Sequence, residues 1–457
     1  MFICNLNLIN MKIKHKTLLL STLIVLILSG NQLSAQKRMS PQECINFALE
    51  HSYSVKQKML EKELNQIQLE ARKTGIAPSL GINLGQSIDF GRSELPVGLF
   101  ENITSLGTTN FNVGMSMDLF QGLRTHHQIK SDKLNLEATL FDIEDVKENI
   151  ELTVTAYYLQ VLLNKEILEV IRAQVLLDQD QVNRIQLLVN NGKSSDAELY
   201  AAKSTLATDQ LSVVEAENSV RLSLLDLAQL MNYPNIADFD IVMEEDSNGI
   251  DNMLAKNIDV NTVVKNALEN RPAIRAASTR IEQAKREIKI FRAGWYPTLA
   301  FSAYFGTGYY YSFKEILGVP NAPFREQFKD NAHESLGLSL YIPIFDKLST
   351  HYSVKQQKLR VKSQELQLEE TKRALIKNIE QAYVNAVATK EKYFASQVAC
   401  SSTKVAFEYE EIKYNAGAST NYEYNDAKNK YLKAQSNLIQ AKFDFLFRLK
   451  ILEFYGN

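Results

Sequence analysis

Few side chains in this sequence have types and spacings that could support chemistry. His126 and His127 recur at His351 in the second half of the chain, and a ring of imidazoles could bind metal or sense pH. Glu423 and Asp426 lie three residues apart, which places two carboxylates on one face of a helix. The simpler interpretations are junction packing or solvent contact for the histidines and a solvated helix face for the acids.

Other chemistry-bearing arrangements are missing from the sequence. It contains no nucleophile with a matched base, no glycine-rich loop that would hold phosphate and no zinc-ligand spacing. Cys44 and Cys400 are far apart in sequence and do not suggest a disulfide framework. We therefore expect a protein without catalysis, cofactor or metal.

The N-terminus predicts export. Three lysines precede an apolar run, Leu18 to Leu28, and the small-residue sequence Leu33-Ser34-Ala35 follows it, as in a secretory signal peptide cut before Gln36. Met11 is an alternative start. Without residues 1–35 the chain has 48 basic and 53 acidic residues, a net charge of about −5. Nucleic acid is a poor partner for such a surface.

The remaining sequence contains an internal duplication. Adding 219 to the residue number superimposes 48–50 on 267–269, and adding 225 superimposes Gly192 on Gly417. A tandem duplication of this kind predicts two copies of one set of elements.

The duplication sets the predicted domain boundaries. The signal peptide covers 1–35, the first repeat 36–232, a linker 233–258 and the second repeat 259–457. Each repeat should contain a helix, two strands, a long helix, a tip turn and a returning helix.

Capping signals mark the first helix of each repeat. Ser40 and Glu43 form a predicted capping box, and Asp259 is the matching N-cap in the second repeat. We expect a break in the helix near 51–53 and another before Pro272, because the residue before proline disfavours the helical conformation.

Two strands with period-two alternation follow these helices in each repeat. The second repeat has the pattern over 299–305 and 336–342. The apolar positions in the first repeat are Leu80, Ile82, Leu84, Ile88, Phe90, Phe111, Val113, Met115, Met117 and Leu119.

A long helical hairpin completes each repeat. No proline occurs between Phe120 and Pro234 or after Pro343, and turns with a glycine divide these stretches at 190–192 and 415–417. The first arm, about 68 residues, would be roughly 100 Å long at 1.5 Å per residue. The returning helices have coiled-coil spacing with alanines that permit close packing. These alanines are Ala202, Ala216, Ala427 and Ala441.

The alternating strands match those of an outer-membrane barrel, with an apolar face towards lipid and a polar face towards water. Four strands cannot close a barrel, and open sheet edges are not tolerated in lipid. Closure must therefore come from other protomers. Three protomers would give twelve strands, and Tyr309–Tyr311 would then lie either at the lipid interface or in a loop.

With this order of elements, the mature chain resembles the TolC-like outer-membrane efflux proteins. Three segments carry the resemblance together with the duplication: 267–272, the junction from Tyr341 to Asp346, and Tyr414-Asn415-Ala416-Gly417. The resemblance implies an α+β membrane duct: a homotrimer whose protomers share a 12-stranded β-barrel in the outer membrane and build an α-helical tunnel of long antiparallel helices across the periplasm.

The resemblance also implies a function. The protein would be the passive exit duct of a tripartite efflux or type I secretion system, and its partners would be a periplasmic adaptor, an inner-membrane pump and outer-membrane lipid. A non-catalytic helical scaffold or adhesin of the cell envelope is the alternative, although the strand alternation disfavours it. An exported enzyme would need a polar constellation that the sequence lacks.

Roles for particular residues follow from the same resemblance. Tyr414 matches the family's constricting tyrosine, and Glu423 with Asp426 matches its ring of gating acids. Ser419 stands where the family has an arginine, which implies that one contact restraining the closed state is missing. The residues expected to dock the adaptor are Asn191, Gly192, Lys193, Ser194, Ala416, Gly417, Ala418 and Ser419.

The strand-to-helix junctions are expected at Phe120 in the first repeat and at Pro343 and Phe345 in the second. The first junction is shorter than the second and has no counterpart of Pro343, so the sequence does not define how its backbone bends.

Overall fold

The structure is a computed structural model, and the predicted signal peptide (1–35) and linker residues 244–258 lie outside the described residues. Among the residues described, no helix has the length and apolar character needed to cross a membrane. The described residues are 37–90, 93–94, 100–101, 106–243, 259–313 and 320–456.

The main helices and strands follow one another in the predicted order along the described chain, with short strands and one short helix added. The helices are α1 Pro41–His51, α2 Tyr53–Thr74, α3 Arg124–Asn190, α4 Asp196–Leu230, α5 Val260–Asn270, α6 Pro272–Arg292, α7 Phe324–Asp330, α8 Ser349–Asn415 and α9 Asn421–Gly456. The strands are β1 Lys37–Met39, β2 Ser79–Asp89, β3 Ser93–Glu94, β4 Phe100–Glu101, β5 Leu106–Gln121, β6 Phe239–Ile241, β7 Thr298–Ser312 and β8 His333–Tyr341.

The chain forms two compact units, and each draws on both halves of the sequence. The first unit contains the described parts of Met1–Ser52, Asn149–Ile258 and Ala382–Phe454. The second contains those of Tyr53–Glu148, Asp259–Gln381 and Tyr455–Asn457. The compact units therefore cut across the two sequence repeats.

A small core anchors the N-terminal helix in the first unit. Helix α1 begins at the predicted capping box, in which Ser40 and Glu43 exchange hydrogen bonds, and it ends before Ser52. Strand β1 pairs in parallel with β6. The buried Tyr158 hydroxyl donates to the Val242 carbonyl oxygen at 2.6 Å, so this polar group is satisfied. Apolar residues of the cluster include Cys44, Ala48, Val154, Val161, Leu227, Ala228, Met231 and Ile241.

An antiparallel sheet with the order β2-β5-β7-β8 dominates the second unit. The predicted apolar face is uncovered: Leu80 is 73% and Leu336 is 80% exposed. The strands extend further than predicted at one end, and Tyr309–Tyr311 lie in β7 rather than in a loop. Strand β8 ends at Tyr341, one residue earlier than predicted, because Ile342 precedes a proline that cannot donate to a sheet.

The two strand-to-helix junctions differ in length, and the bend of the first lies beyond Phe120 rather than at it. Phe120 is inside β5, where it pairs with Leu299 next to an irregularity in the ladder. The chain then bends at Gly122 and Leu123, with φ angles of 62° and 64°, and α3 begins at the next residue. In the second half, the longer segment 342–348 connects β8 to α8. The equivalent residues of the second junction, Lys347 and Leu348, also have positive φ angles.

The long helices agree with the sequence register. Both α3 and α8 contain 67 residues, so each is about 100 Å long at 1.5 Å per residue. Their first residues, 124 and 349, and their last residues, 190 and 415, are separated by the shift of 225 seen in the sequence. Duplicated sequence thus produces helices of equal length.

Candidate functional site

The two tip turns are built by the same hydrogen bonds. The amide of Gly192 donates to Val189 O at 2.9 Å and that of Lys193 to Leu188 O at 2.8 Å; Gly417 and Ala418 repeat these bonds with Tyr414 O and Lys413 O. This is the Schellman arrangement, in which a left-handed residue closes the helix. The glycines have φ angles of 69° and 74°, and open space surrounds the position of a Cβ atom at each.

The residues expected to dock an adaptor lie mainly at the surface of these turns. Asn191, Gly192 and Lys193 are exposed in the first turn, and Ser194 is half-buried. In the second turn, residues 416–418 are exposed and Ser419 is half-buried. Both turns are therefore open to contact from outside the protomer.

The capping boxes differ between the turns. The amide of Glu198 donates to Ser195 Oγ at 3.2 Å, but the Glu198 carboxylate accepts from Ser194 Oγ at 2.6 Å, so a reciprocal capping box is only half formed. In the second turn, Thr420 and Glu423 form the complete box, with bonds of 2.9 and 3.2 Å between their amides and side-chain oxygens.

Glu423 is held at the start of α9 by these contacts. Its Oε2 also accepts from Thr420 Oγ1 at 2.8 Å and Ser419 Oγ at 3.2 Å. The hydrogen bond from the Thr420 amide is the main cause that lowers the pKa of Glu423, so the carboxylate stays ionised at neutral pH. Asp426 accepts from Lys430 Nζ at 2.6 Å, one helical turn away. Both predicted gate acids thus have local partners within the protomer.

Tyr414 is the centre of the contacts between the two hairpins. Its hydroxyl accepts from Gln181 Nε2 of α3 at 2.7 Å, and its ring stacks on Tyr424 of α9 with centroids 4.8 Å apart. Burial raises the pKa of Tyr414, and the Glu198 carboxylate adds to this increase. The tyrosine therefore remains a neutral hydrogen-bonding group.

Arg184 provides a contact that the sequence did not reveal. Its guanidinium donates to the Asn415 side chain and, at 3.4 Å, to the Asn415 carbonyl oxygen. The same guanidinium lies 5.6 Å from the Tyr414 ring centroid. An arginine from the first hairpin thus restrains the second turn, where Ser419 replaces the arginine that the resemblance led us to expect. No local pattern indicates this role, because the two partners are 231 residues apart.

The returning helices pack largely at the predicted seam. Ala202, Ala216 and Ala441 are buried, and Ala441 has no exposed surface. Ala427 is only half-buried, whereas the next residue, Lys428, is buried. Near this tip the buried position of the helix is therefore Lys428, one residue after the predicted Ala427.

The histidines near the junctions do not gather into a ligand set within the described chain. The rings of His126 and His127 lie 5.6 Å apart, and His351 contacts Tyr352. Burial and then His126 lower the pKa of His127, and nearby basic residues add to this effect. Among the described residues, no group of three or more His, Cys, Asp or Glu side chains could hold a metal ion.

The remaining junction residues lie outside the strands. Pro343 is half-buried and Phe345 is 77% exposed, both in the segment between β8 and α8. Ile344 is 96% exposed, so two adjacent large apolar side chains lie at the surface of this segment.

A sheet with an uncovered apolar face, together with paired long helical hairpins that end in glycine turns, is the architecture expected of an outer-membrane duct protein. The family model described as outer membrane efflux protein matches residues 44–233 and 263–449, and the chain belongs to this family. It is an outer-membrane exit duct for efflux or secretion. This assignment favours the duct over the scaffold or adhesin.

Named relatives support the assignment at low identity. The chain is 23% identical over 357 residues to the pyoverdine export outer membrane protein OpmQ of Pseudomonas putida, and the match covers 76% of this chain and 69% of that protein. It is 21% identical over 387 residues to the outer membrane protein TolC of Escherichia coli, with coverage of 83% and 74%. The crystal structure of VceC from Vibrio cholerae has the same fold, with a TM-score of 0.72, 16% identity, and coverage of 91% of this chain and 96% of that one.

Proposed function

We propose that the chain is one protomer of a homotrimeric passive conduit that performs no covalent chemistry. The observation that carries this proposal is the antiparallel sheet, whose edge strands β2 and β8 have no further strand partner among the described residues. Three such sheets joined edge to edge would form a closed barrel of twelve strands.

Physical chemistry requires this closure in a membrane. Each backbone amide or carbonyl left without a partner in hydrocarbon costs several kcal/mol, roughly 2 to 7 per group depending on the reference state. Both edge strands also carry exposed apolar residues, such as Ile82 in β2 (67% exposed) and Leu338 in β8 (69% exposed). Lipid can cover these side chains only if the polar strand edges beside them are paired. Association of protomers satisfies both demands at once.

Disulfide crosslinking between edge strands tests the proposal. A variant without Cys44 and Cys400 would carry one new cysteine in β2, replacing Asn83, and one in β8, replacing Ser335 or Ser339 in turn. A closed trimer should give crosslinked bands at two and three times the protomer mass and none above. The single-cysteine variants are the controls. Crosslinked bands larger than three protomers would contradict a closed trimer. Crosslinks that form only within one protomer would contradict it as well.

We further propose that the two tip turns dock a periplasmic adaptor, which connects the duct to an inner-membrane pump, and that Tyr414, Glu423 and Asp426 form the gate. Support comes from the exposure of the turn residues and from the contacts that hold Tyr414 against α3. In a trimer, Glu423 and Asp426 would contribute up to six carboxylates around one axis.

A further inference from the structure

A buried cluster of charged side chains connects three helices of the first unit. Lys428 of α9 has only 1% of its side chain exposed, and its Nζ contacts Asp178 Oδ1 of α3. The same Nζ lies 3.9 Å from Asp209 Oδ2 of α4. Gln174 Nε2 donates to Asp178 Oδ2 at 3.0 Å and to Asp209 Oδ2 at 3.1 Å, so the two carboxylates share this donor.

The charges of this cluster do not balance when every group is ionised. Two carboxylates face one ammonium group, which leaves a net charge of −1 at a site where the side chain of Asp178 is 5% exposed and that of Asp209 is 24% exposed. Gln174 Oε1 is buried and has no hydrogen-bond partner among the described residues, so the amide does not complete the network. An unbalanced buried charge is unfavourable unless a proton or another cation compensates it.

We propose that Asp178 and Asp209 share one proton, and that binding of this proton strengthens the packing of α9 against α3 and α4. The protonated cluster would contain one carboxylate, one carboxylic acid and one ammonium group, and its net charge would be zero. The proposal goes beyond the exit-duct function and does not depend on where the gate lies.

The surroundings of Asp178 support this assignment. Burial is the main cause that raises the pKa of Asp178 to about 6, Asp209 raises it further, and Lys428 opposes the increase. Tyr424 of α9 has a pKa raised to about 12, chiefly by burial, and stays neutral. The other charged or titratable groups that act on Tyr424 are Arg184 of α3 and Glu411 and Tyr414 of α8.

The direction of the pH effect follows from the raised pKa. A carboxyl group that holds its proton more tightly in the folded protein stabilises the fold at acidic pH. The stabilisation is complete below the unfolded value of 3.8 and is lost as the pH rises through about 6. Acidification from pH 8 to 5 should therefore tighten this contact, whereas protonation of a simple ion pair would loosen it.

Asp178→Asn tests the proposal, because asparagine keeps the shape of the side chain and removes its charge and its titration. Asp180→Asn is the matched control, since Asp180 is exposed on the same helix. Both variants and the parent would be measured as the full chain in detergent, from pH 5 to 8. Infrared difference spectroscopy reports the carbonyl band of a protonated carboxylic acid, and thermal unfolding reports stability.

On acidification, the parent and Asp180→Asn should both gain the band of a protonated carboxyl group, with a titration midpoint near pH 6. Asp178→Asn should lack this titration. The unfolding midpoint of Asp178→Asn relative to the parent should be higher at pH 8 than at pH 5. Should Asp178→Asn fail to fold, Asp209→Asn should remove the same band, and Lys428→Met should move proton uptake to higher pH. The proposal would be overturned if the band remained in both Asp178→Asn and Asp209→Asn. It would also be overturned if the unfolding midpoints of all variants depended on pH in the same way.

Discussion

Gly122 offers the sharpest test of how the strand passes into the long helix. A Cβ atom at this position would lie 2.8 Å from the Ala293 carbonyl oxygen and 2.8 Å from Tyr296 Cβ, and the φ angle is +62°. Neither neighbour is the flexible end of a side chain. Gly122→Ala therefore combines backbone strain with a steric clash.

The expected cost follows from these two effects. A left-handed conformation costs a residue with a Cβ atom about 1 to 2 kcal/mol, and overpacking adds about 1 to 3 kcal/mol. The lower entropy of the unfolded alanine chain offsets about 0.4 to 1 kcal/mol. We expect a net loss of about 1 to 5 kcal/mol in the free energy of unfolding.

Leu123→Gly is the matched control in the same bend. Leu123 has a φ angle of 64° and is 57% exposed, so glycine would relieve strain and remove little packing. The greater entropy of unfolded glycine offsets part of this gain, and the net change should stay below about 1 kcal/mol.

Thermal unfolding of the purified protein in detergent, followed by circular dichroism, would compare the two variants at equal protein concentration. Gly122→Ala should lower the midpoint clearly, and Leu123→Gly should leave it nearly unchanged. Equal shifts in the two variants, or no shift for Gly122→Ala, would refute the steric account of this bend.

Three further predictions concern the helical hairpins. Tyr414→Phe removes a hydrogen bond worth about 0.5 to 1.5 kcal/mol and should increase the open fraction in single-channel recordings, whereas Tyr422→Phe, at an exposed site, should not. Ala441→Leu should overpack the seam by about 1 to 3 kcal/mol and lower the unfolding midpoint, and the exposed substitution Gln440→Leu should have little effect. A photocrosslinker at Ala418 should capture an adaptor; capture only from mid-helix positions would place the docking surface elsewhere.

Local signals account for what the sequence predicted well. Glycine at 192 and 417 is needed where the backbone is left-handed, and the period-two alternation follows directly from the two faces of the sheet. These features depend on neighbouring residues, so a single sequence contains them.

Contacts between distant segments could not be predicted in the same way. The burial of Lys428 depends on Asp178, 250 residues away, and hydrophobic spacing instead favoured Ala427 as the inward residue. The contact between Arg184 and Asn415 likewise requires knowing how the two hairpins pack. A leucine with positive φ at 123 has no sequence signal, because the surrounding structure imposes that conformation.

Ion selectivity of the purified protein in planar bilayers tests the central claim that the helical tips gate a duct. Acids crowded at a narrow mouth raise the local negative potential, which favours cations and allows trivalent cations to block. Glu423→Gln plus Asp426→Asn removes these charges while the glutamine can still cap α9. Glu391→Gln plus Glu408→Gln makes the same charge change at exposed sites of α8. Cation preference and trivalent block should fall in the first variant only. Unchanged selectivity and block in that variant would contradict a gate at these acids.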